Sequence, residues 1–222
     1  MRAVALALVL VSAHAHADRM CEMGLLPPQV IDGAGGVIAG SGGMIVASGD
    51  KLPDWRFRVL NKVIRPRVVP LAPGLAIYHP PPLAGTDVVL ENLERSVIRR
   101  ARRALTIAPG PESPKVDVIA TAEVGGRTSV IAELDPIPRD AIVVIVSVVE
   151  RDRTLPITWV RTGGASGQKL LLWHTPYGCE QTIDGTRQPR VGERVVLSFV
   201  DEAGRVSEPS KPVTVTRAKG PR

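Results

Sequence analysis

Aromatic side chains are scarce in this 222-residue chain, which holds three Trp, two Tyr and two Phe. Proteins that read single-stranded nucleic acid stack the bases on aromatic platforms. Seven dispersed rings are too few to build one, so no nucleic-acid partner is expected. Histidine is rarer still: His14 and His16 lie in the first seventeen residues, which leaves His79 and His174 for the rest of the chain. A serine triad needs a base, and neither histidine stands in a serine-hydrolase context. The two cysteines, Cys21 and Cys179, form no Cys-x-x-Cys pair, and no His-x-x-x-His accompanies them. The five-residue step from His174 to Cys179 is weak support for a zinc site, so neither metal nor cofactor is expected. Glycine-rich loops between Gln29 and Ser48 also fall short of nucleotide-binding patterns. Gly33-Ala34-Gly35-Gly36-Val37-Ile38 lacks the third glycine of a dinucleotide fingerprint, and no loop closes on Gly-Lys-Ser/Thr. Ser41 has Ala39 where a hydrolase elbow places its first glycine. No residue is therefore assigned a catalytic role.

Long apolar runs are missing as well. A membrane-crossing helix needs roughly 18 uninterrupted apolar residues, and beyond the N-terminus the longest run is Ala141 to Val149, the length of a strand. The N-terminus itself, MRAVALALVLVSAHAHA, has one charge at Arg2, an apolar stretch from Ala3 to Val11 and then Ala15-His16-Ala17. That layout reads as a secretory signal peptide cleaved after Ala17, and it implies export to the periplasm or outside the cell. In an exported chain, two cysteines favour a Cys21–Cys179 disulfide. A loop that long would stabilise by roughly 5 kcal/mol in the chain-entropy model, and it would pin the mature N-terminus to the second half of the chain.

What the chain has in abundance is punctuation: twenty prolines and twenty-one glycines between short runs rich in Val and Ile. That alternation predicts an all-β protein. The stiff stretch Ile107 to Pro114 reads as a linker. The expected organisation is a signal peptide (1–17), an N-terminal β-rich domain (18–112), a C-terminal β-sandwich (113–218) and a short tail (219–222). In the first domain, Trp55, Phe57 and Val59 alternate with Arg56 and Arg58, the pattern of a strand with one buried face. Lys62 to Val69 reads as a second such strand, and Leu75 to Tyr78 as another. Residues 87–105 fit either a hairpin turning through Asn92 to Ser96 or an amphipathic helix, and the β-rich surroundings favour the hairpin.

Formal charge is +6, spread along the chain except at Arg95, Arg99, Arg100, Arg102 and Arg103. Those five arginines make the densest basic patch and a candidate polyanion site. Beyond the linker, seven strands are expected: Val116–Ala122, Arg127–Leu134, Ala141–Glu150, Ile157–Arg161, Lys169–His174, Val195–Val200 and Val213–Thr216. Ala141–Val149 is apolar on both faces and needs cover on both sides. Trp159 is expected between the sheets of this sandwich. Trp173, His174 and Tyr177 form a local cluster that could serve as a binding edge.

Val195 to Thr216, VVLSFVDEAGRVSEPSKPVTVT, spells a strand, an Asp-Glu-Ala-Gly reversal and a closing strand after Pro209 and Pro212. This stretch resembles the last hairpin of fibronectin type III-like and other immunoglobulin-like bacterial domains. The resemblance implies an immunoglobulin-like seven-stranded sandwich for the C-terminal domain, and it implies no particular activity. The expected function is non-catalytic binding or structural work in the cell envelope, with an envelope protein or an anionic glycan as partner. The alternatives are an envelope-polymer hydrolase built on scattered carboxylates, and attachment to anionic glycan or lipopolysaccharide through the arginines; the pairs Asp201-Glu202 and Glu133 with Asp135 fall at turns and strand ends, where they solvate loops.

Overall fold

The structure is a computed structural model, and it describes residues 25–31, 37–38, 42–82, 85–103, 110–124, 127–135, 137–138, 140–163, 169–174 and 182–218. All regular structure in these residues is β. The first nine strands are β1 (Gln29–Ile31), β2 (Val37–Ile38), β3 (Met44–Ala47), β4 (Arg56–Val59), β5 (Lys62–Ile64), β6 (Arg67–Ala72), β7 (Leu75–His79), β8 (Asp87–Glu91) and β9 (Val97–Arg103). They make a four-stranded sheet, β1-β3-β7-β6, and a five-stranded one, β2-β9-β8-β4-β5. The last seven are β10 (Val116–Val124), β11 (Arg127–Leu134), β12 (Ala141–Glu150), β13 (Arg153–Arg161), β14 (Lys169–His174), β15 (Arg194–Asp201) and β16 (Val213–Arg217). They form one sheet in the order β13-β12-β15-β16-β10-β11-β14. β16 pairs with β15 at its first residues and then runs parallel to β10, from Ile119↔Val215 to Thr121↔Arg217. At that crossing the sheet folds over, and β13-β12-β15 faces β10-β11-β14 across an apolar core.

Both units share much of their wiring. β5-β4-β8-β9 lie side by side in the first unit as β13-β12-β15-β16 do in the second. Opposite them, β3 pairs with β7 as β11 pairs with β14. This is the Greek-key order of an immunoglobulin-like sandwich. The C-terminal unit thus has the expected seven-stranded form, and the same order recurs in the N-terminal unit, where the sequence had announced only β-rich structure.

Period-two alternation explains the layering. On β3 and β7 both faces are buried: Met44, Val46, Ala76 and Tyr78 face the five-stranded sheet, while Ile45, Ala47, Leu75 and Ile77 face the other way. On β12, Val144, Val146 and Val148 enter the C-terminal core, while Val143 and Ile145 point toward the N-terminal unit. The four-stranded sheet and the β13-β12-β15 layer therefore press together through Ile31, Ile45, Leu75, Ile77, Val143, Ile145, Trp159 and Val200. The result is four sheet layers with three apolar clusters between them. An apolar strand with two buried faces needs cover on each, and β12 receives both kinds.

Three expectations meet different outcomes here. Residues 87–103 are a hairpin. Asn92 closes it, donating its amide to the Ser96 carbonyl (3.1 Å) and accepting from the Ser96 amide through its side chain (2.8 Å). Lys62 to Val69 is not one strand: Pro66 separates β5 from β6, which lie in different sheets. Trp159 is not inside the C-terminal sandwich. It sits at the seam between the units and donates its indole N–H to the Pro73 carbonyl at 3.1 Å. The residue beside it, Thr158, follows a register shift in the β12/β13 ladder at Val146/Ser147. A bulge of that kind inverts the facing of everything beyond it, so simple alternation could not place Trp159.

Candidate binding face

The outer face of the five-stranded sheet is built by residues whose in-register neighbours point the same way. One row runs Val63, Arg58, Val89, Arg100 across β5, β4, β8 and β9. A second row pairs Asp87 with Arg102, and a third pairs Arg56 with Glu91. The inner face of the same strands supplies Phe57, Val59, Val88 and Leu90 to the core, so packing fixes which arginines face out. Trp55 and Tyr78 meet within that core at 6.5 Å between ring centroids. The Tyr78 hydroxyl donates to the Pro53 carbonyl at 2.6 Å. Burial, with the nearby Asp54 carboxylate, pushes the Tyr78 phenol up to about 12.

The sheet sorts four of the five clustered arginines. Arg100 and Arg102 point outward and are exposed. Arg99 lies opposite the buried Leu90, on the inner side near the sheet's margin, and is half-buried. Arg95 occupies the hairpin turn with φ of 64°. The Arg103 side chain lies outside the described residues. Alternation along β9 sends Arg99 and Arg100 to opposite faces, so of the described side chains Arg100 and Arg102 stand together on the outer one. Arg58, which the cluster did not include, completes the outward group.

Ion pairing divides this face again. Glu91, whose side chain is 6% exposed, receives both Arg58 Nη2 at 2.6 Å and Arg58 Nε at 2.7 Å. Arg56 stands 3.5 Å from Asp54. Among the described residues neither Arg100 nor Arg102 has an ion-pair partner. Between β4, β8 and β9 an open groove of about 460 Å³ is lined by Arg58, Leu60, Asn61, Asp87, Val89 and Arg102. Its rim is the β4–β5 turn, in which Leu60 and Asn61 both adopt positive φ, 47° and 63°. Consecutive residues of that kind make the tight turn a two-residue hairpin needs. Asparagine tolerates it; leucine does so at a cost, and Leu60 is 72% exposed.

Elsewhere several carboxylates are engaged in structure. Asp201, fully buried, accepts from the amides of Ala203 and Arg205 and from Arg205 Nε at 2.7 Å. Burial alone would raise the Glu193 carboxyl, but the hydrogen bonds from Arg187 and from the Arg190 amide, with the charges of both arginines, hold it below the usual range. Glu133 pairs with Lys169 at 3.2 Å, and Asp135 with Lys115 at 3.7 Å. Among the described residues no three of His, Cys, Asp and Glu gather as a metal site would require.

Of the suggested binding edge, Trp173 is half-buried against the C-terminal core and pairs with Val130. His174 ends β14 opposite Ser129, and its side chain, like Tyr177, lies outside the described residues. So do Cys21, Cys179 and the first seventeen residues. No helix among the described residues is long and apolar enough to cross a membrane. No family model matches the chain, and no curated protein matches it in sequence.

Proposed function

We propose that this chain is an exported, non-catalytic binding or structural protein of the cell envelope, built from two docked β-sandwiches. The observation that carries this reading is how its buried and half-buried carboxylates are used. Asp201, Glu91 and Glu193 are each committed to an arginine, while Arg100 and Arg102 stand outward on an exposed sheet face. A surface of that kind suits recognition by contact rather than proton transfer, which asks for a titratable group free to exchange its proton. The C-terminal unit is, on this reading, a fibronectin type III-like domain. In support, its fourth strand β13 lies beside the third, β12, and its last strand is reached through Ser207-Glu208-Pro209-Ser210. Export rests on the N-terminal pattern from Arg2 to Ala17.

A Cys21–Cys179 disulfide belongs to the same proposal. The nearest described residues that follow the two cysteines, Leu25 and Thr182, form a parallel bridge, and the Leu26 amide donates to the Thr182 carbonyl at 2.9 Å. Three residues of chain then separate Cys21 from that contact and two separate Cys179 from it. Peptide mapping of protein secreted from the native host, without reduction, is expected to show the 21–179 cross-link and a mature N-terminus at Asp18. The function is tested by a broad hydrolase and transferase screen beside a pull-down from native envelopes. Retention of a defined envelope component without turnover is the expected result. A turnover abolished by one carboxylate substitution would establish the hydrolase instead.

A further inference from the structure

The groove on the five-stranded sheet has three properties that together specify a ligand. Its cations lie in a fixed array: Arg102 lines the groove with Arg58, which Glu91 also holds, two strands away at roughly 10 Å. Arg100 stands just beside the groove on the same sheet face, two residues from Arg102 on β9, about 7 Å. Its neutral and acidic groups, Asn61 and Asp87, add a hydrogen-bond donor and acceptors to the same lining. An apolar side chain, Leu60, is held on its rim at positive φ and 72% exposed, an arrangement that costs stability and that the turn could avoid with glycine.

We infer that this groove binds an acidic glycan, a chain of sugar units carrying carboxylates. Arg102 in the groove and Arg100 beside it, opposite Val89, take the carboxylates, charge-assisted contacts for which guanidinium geometry is suited. Asp87 and Asn61 bond the sugar hydroxyls, and Leu60 and Val89 cover an apolar ring face. The composition disfavours the other polyanions. A nucleic acid would find no ring among the groove residues on which to stack a base. The inference rests on the binding-protein reading above and names its partner class.

The probe is an oligogalacturonate of defined length, titrated calorimetrically into the full mature protein, with neutral dextran oligomers, duplex DNA and phosphatidylglycerol vesicles as comparisons. Binding of the oligogalacturonate alone is expected, weakening as salt rises. Arg102→Gln and Arg100→Gln are each expected to reduce affinity about tenfold at low salt with unchanged melting temperature, because both side chains are exposed. Leu60→Gly is expected to raise the melting temperature while lowering affinity, a combination that a merely structural residue does not give. Equal binding of DNA or vesicles, unchanged affinity in Arg102→Gln, or no oligogalacturonate binding at all would overturn the inference. The last result, with a component still recovered in the envelope pull-down, would leave the binding-protein reading standing.

Discussion

Two serines do the work of a strand's backbone. After β15 the chain returns alongside it through Ser207-Glu208-Pro209-Ser210, where Pro209 and Pro212 have no N–H to give. The Ser207 hydroxyl accepts the Phe199 amide at 2.9 Å, and the Ser210 hydroxyl accepts the Leu197 amide at 3.0 Å. Their own amides donate back to the carbonyls of Phe199 and Leu197. Ser210→Ala leaves the buried Leu197 amide without its acceptor, so a loss of about 1–3 kcal/mol is expected from urea unfolding with an unchanged denaturant slope. Tyr78 gives a second prediction at this scale. Its phenol is raised to about 12 in the fold, from an ordinary value of 10.0. The unfolded chain therefore loses that proton first as pH rises. The stabilisation is whole below pH 10 and drains away between pH 10 and about 12, on the order of 2 kcal/mol when complete. Tyr78→Phe is expected to remove that part of the alkaline destabilisation, seen as a flatter melting-temperature profile above pH 10. Glu193 works in the opposite sense. Its lowered carboxyl contributes stability above its ordinary value of 4.5, and that contribution is lost as pH falls through the folded value.

At the scale of elements, turns matter most where one unit's turn meets the other unit's strand. The reversal after β15 is fixed by Asp201, which bonds the amides of Ala203 and Arg205 and lets Gly204 take φ of 72°. The Ala203 carbonyl then receives the Gly43 amide at 3.0 Å. A side chain on Gly204 would collide with the Gly43 carbonyl, and one on Gly43 would lie 2.5 Å from Ile77 and 2.6 Å from the Tyr78 carbonyl. Backbone approaches backbone here because neither residue has a Cβ. Gly204→Ala is expected to cost on the order of 2–4 kcal/mol, adding an unfavourable φ to the clash. Substitution at Gly192 (φ 89°) is the control: it carries the same φ penalty with nothing nearby to strike. A thermal shift much larger for Gly204→Ala than for Gly192→Ala would confirm that contact, not conformation, dominates.

For the molecule as a whole, the decisive feature is the third apolar cluster, which belongs to neither sandwich. Trp159, Val143, Ile145 and Val200 from one unit meet Ile31, Ile45, Leu75 and Ile77 from the other. Hydrogen bonds ring this seam, including Arg161 to Gln29 at 2.7 Å and the Asp184 amide to the Gly49 carbonyl at 2.7 Å. Interfaces between domains of one chain are ordinarily polar and permit relative motion; an apolar seam of this kind couples the two. One cooperative calorimetric transition is therefore expected for the native protein. Trp159→Ala removes a large buried side chain and its bond to Pro73, a loss of about 3–5 kcal/mol. With the seam weakened, the endotherm is expected to split in two.

Strand identity was legible from the residues alone, since alternation and β-branching are local. β11, β12 and β14 run where the pattern put them, as does the buried face made by Trp55, Phe57 and Val59. The hairpin at Asn92 followed from the same local logic. What the chain did not disclose is which strands would pair and which buried faces would meet. Pro66 reads as a pause within a strand until the two sides of it join different sheets, and Trp159 reads as core until a bulge turns it to the seam. The arginine run reads as one patch until the pleat divides it and β4 brings Arg58 alongside. Periodicity is a property of neighbours in sequence, whereas sheet order, docking and the assembly of a charged face arise from contacts between residues far apart along the chain.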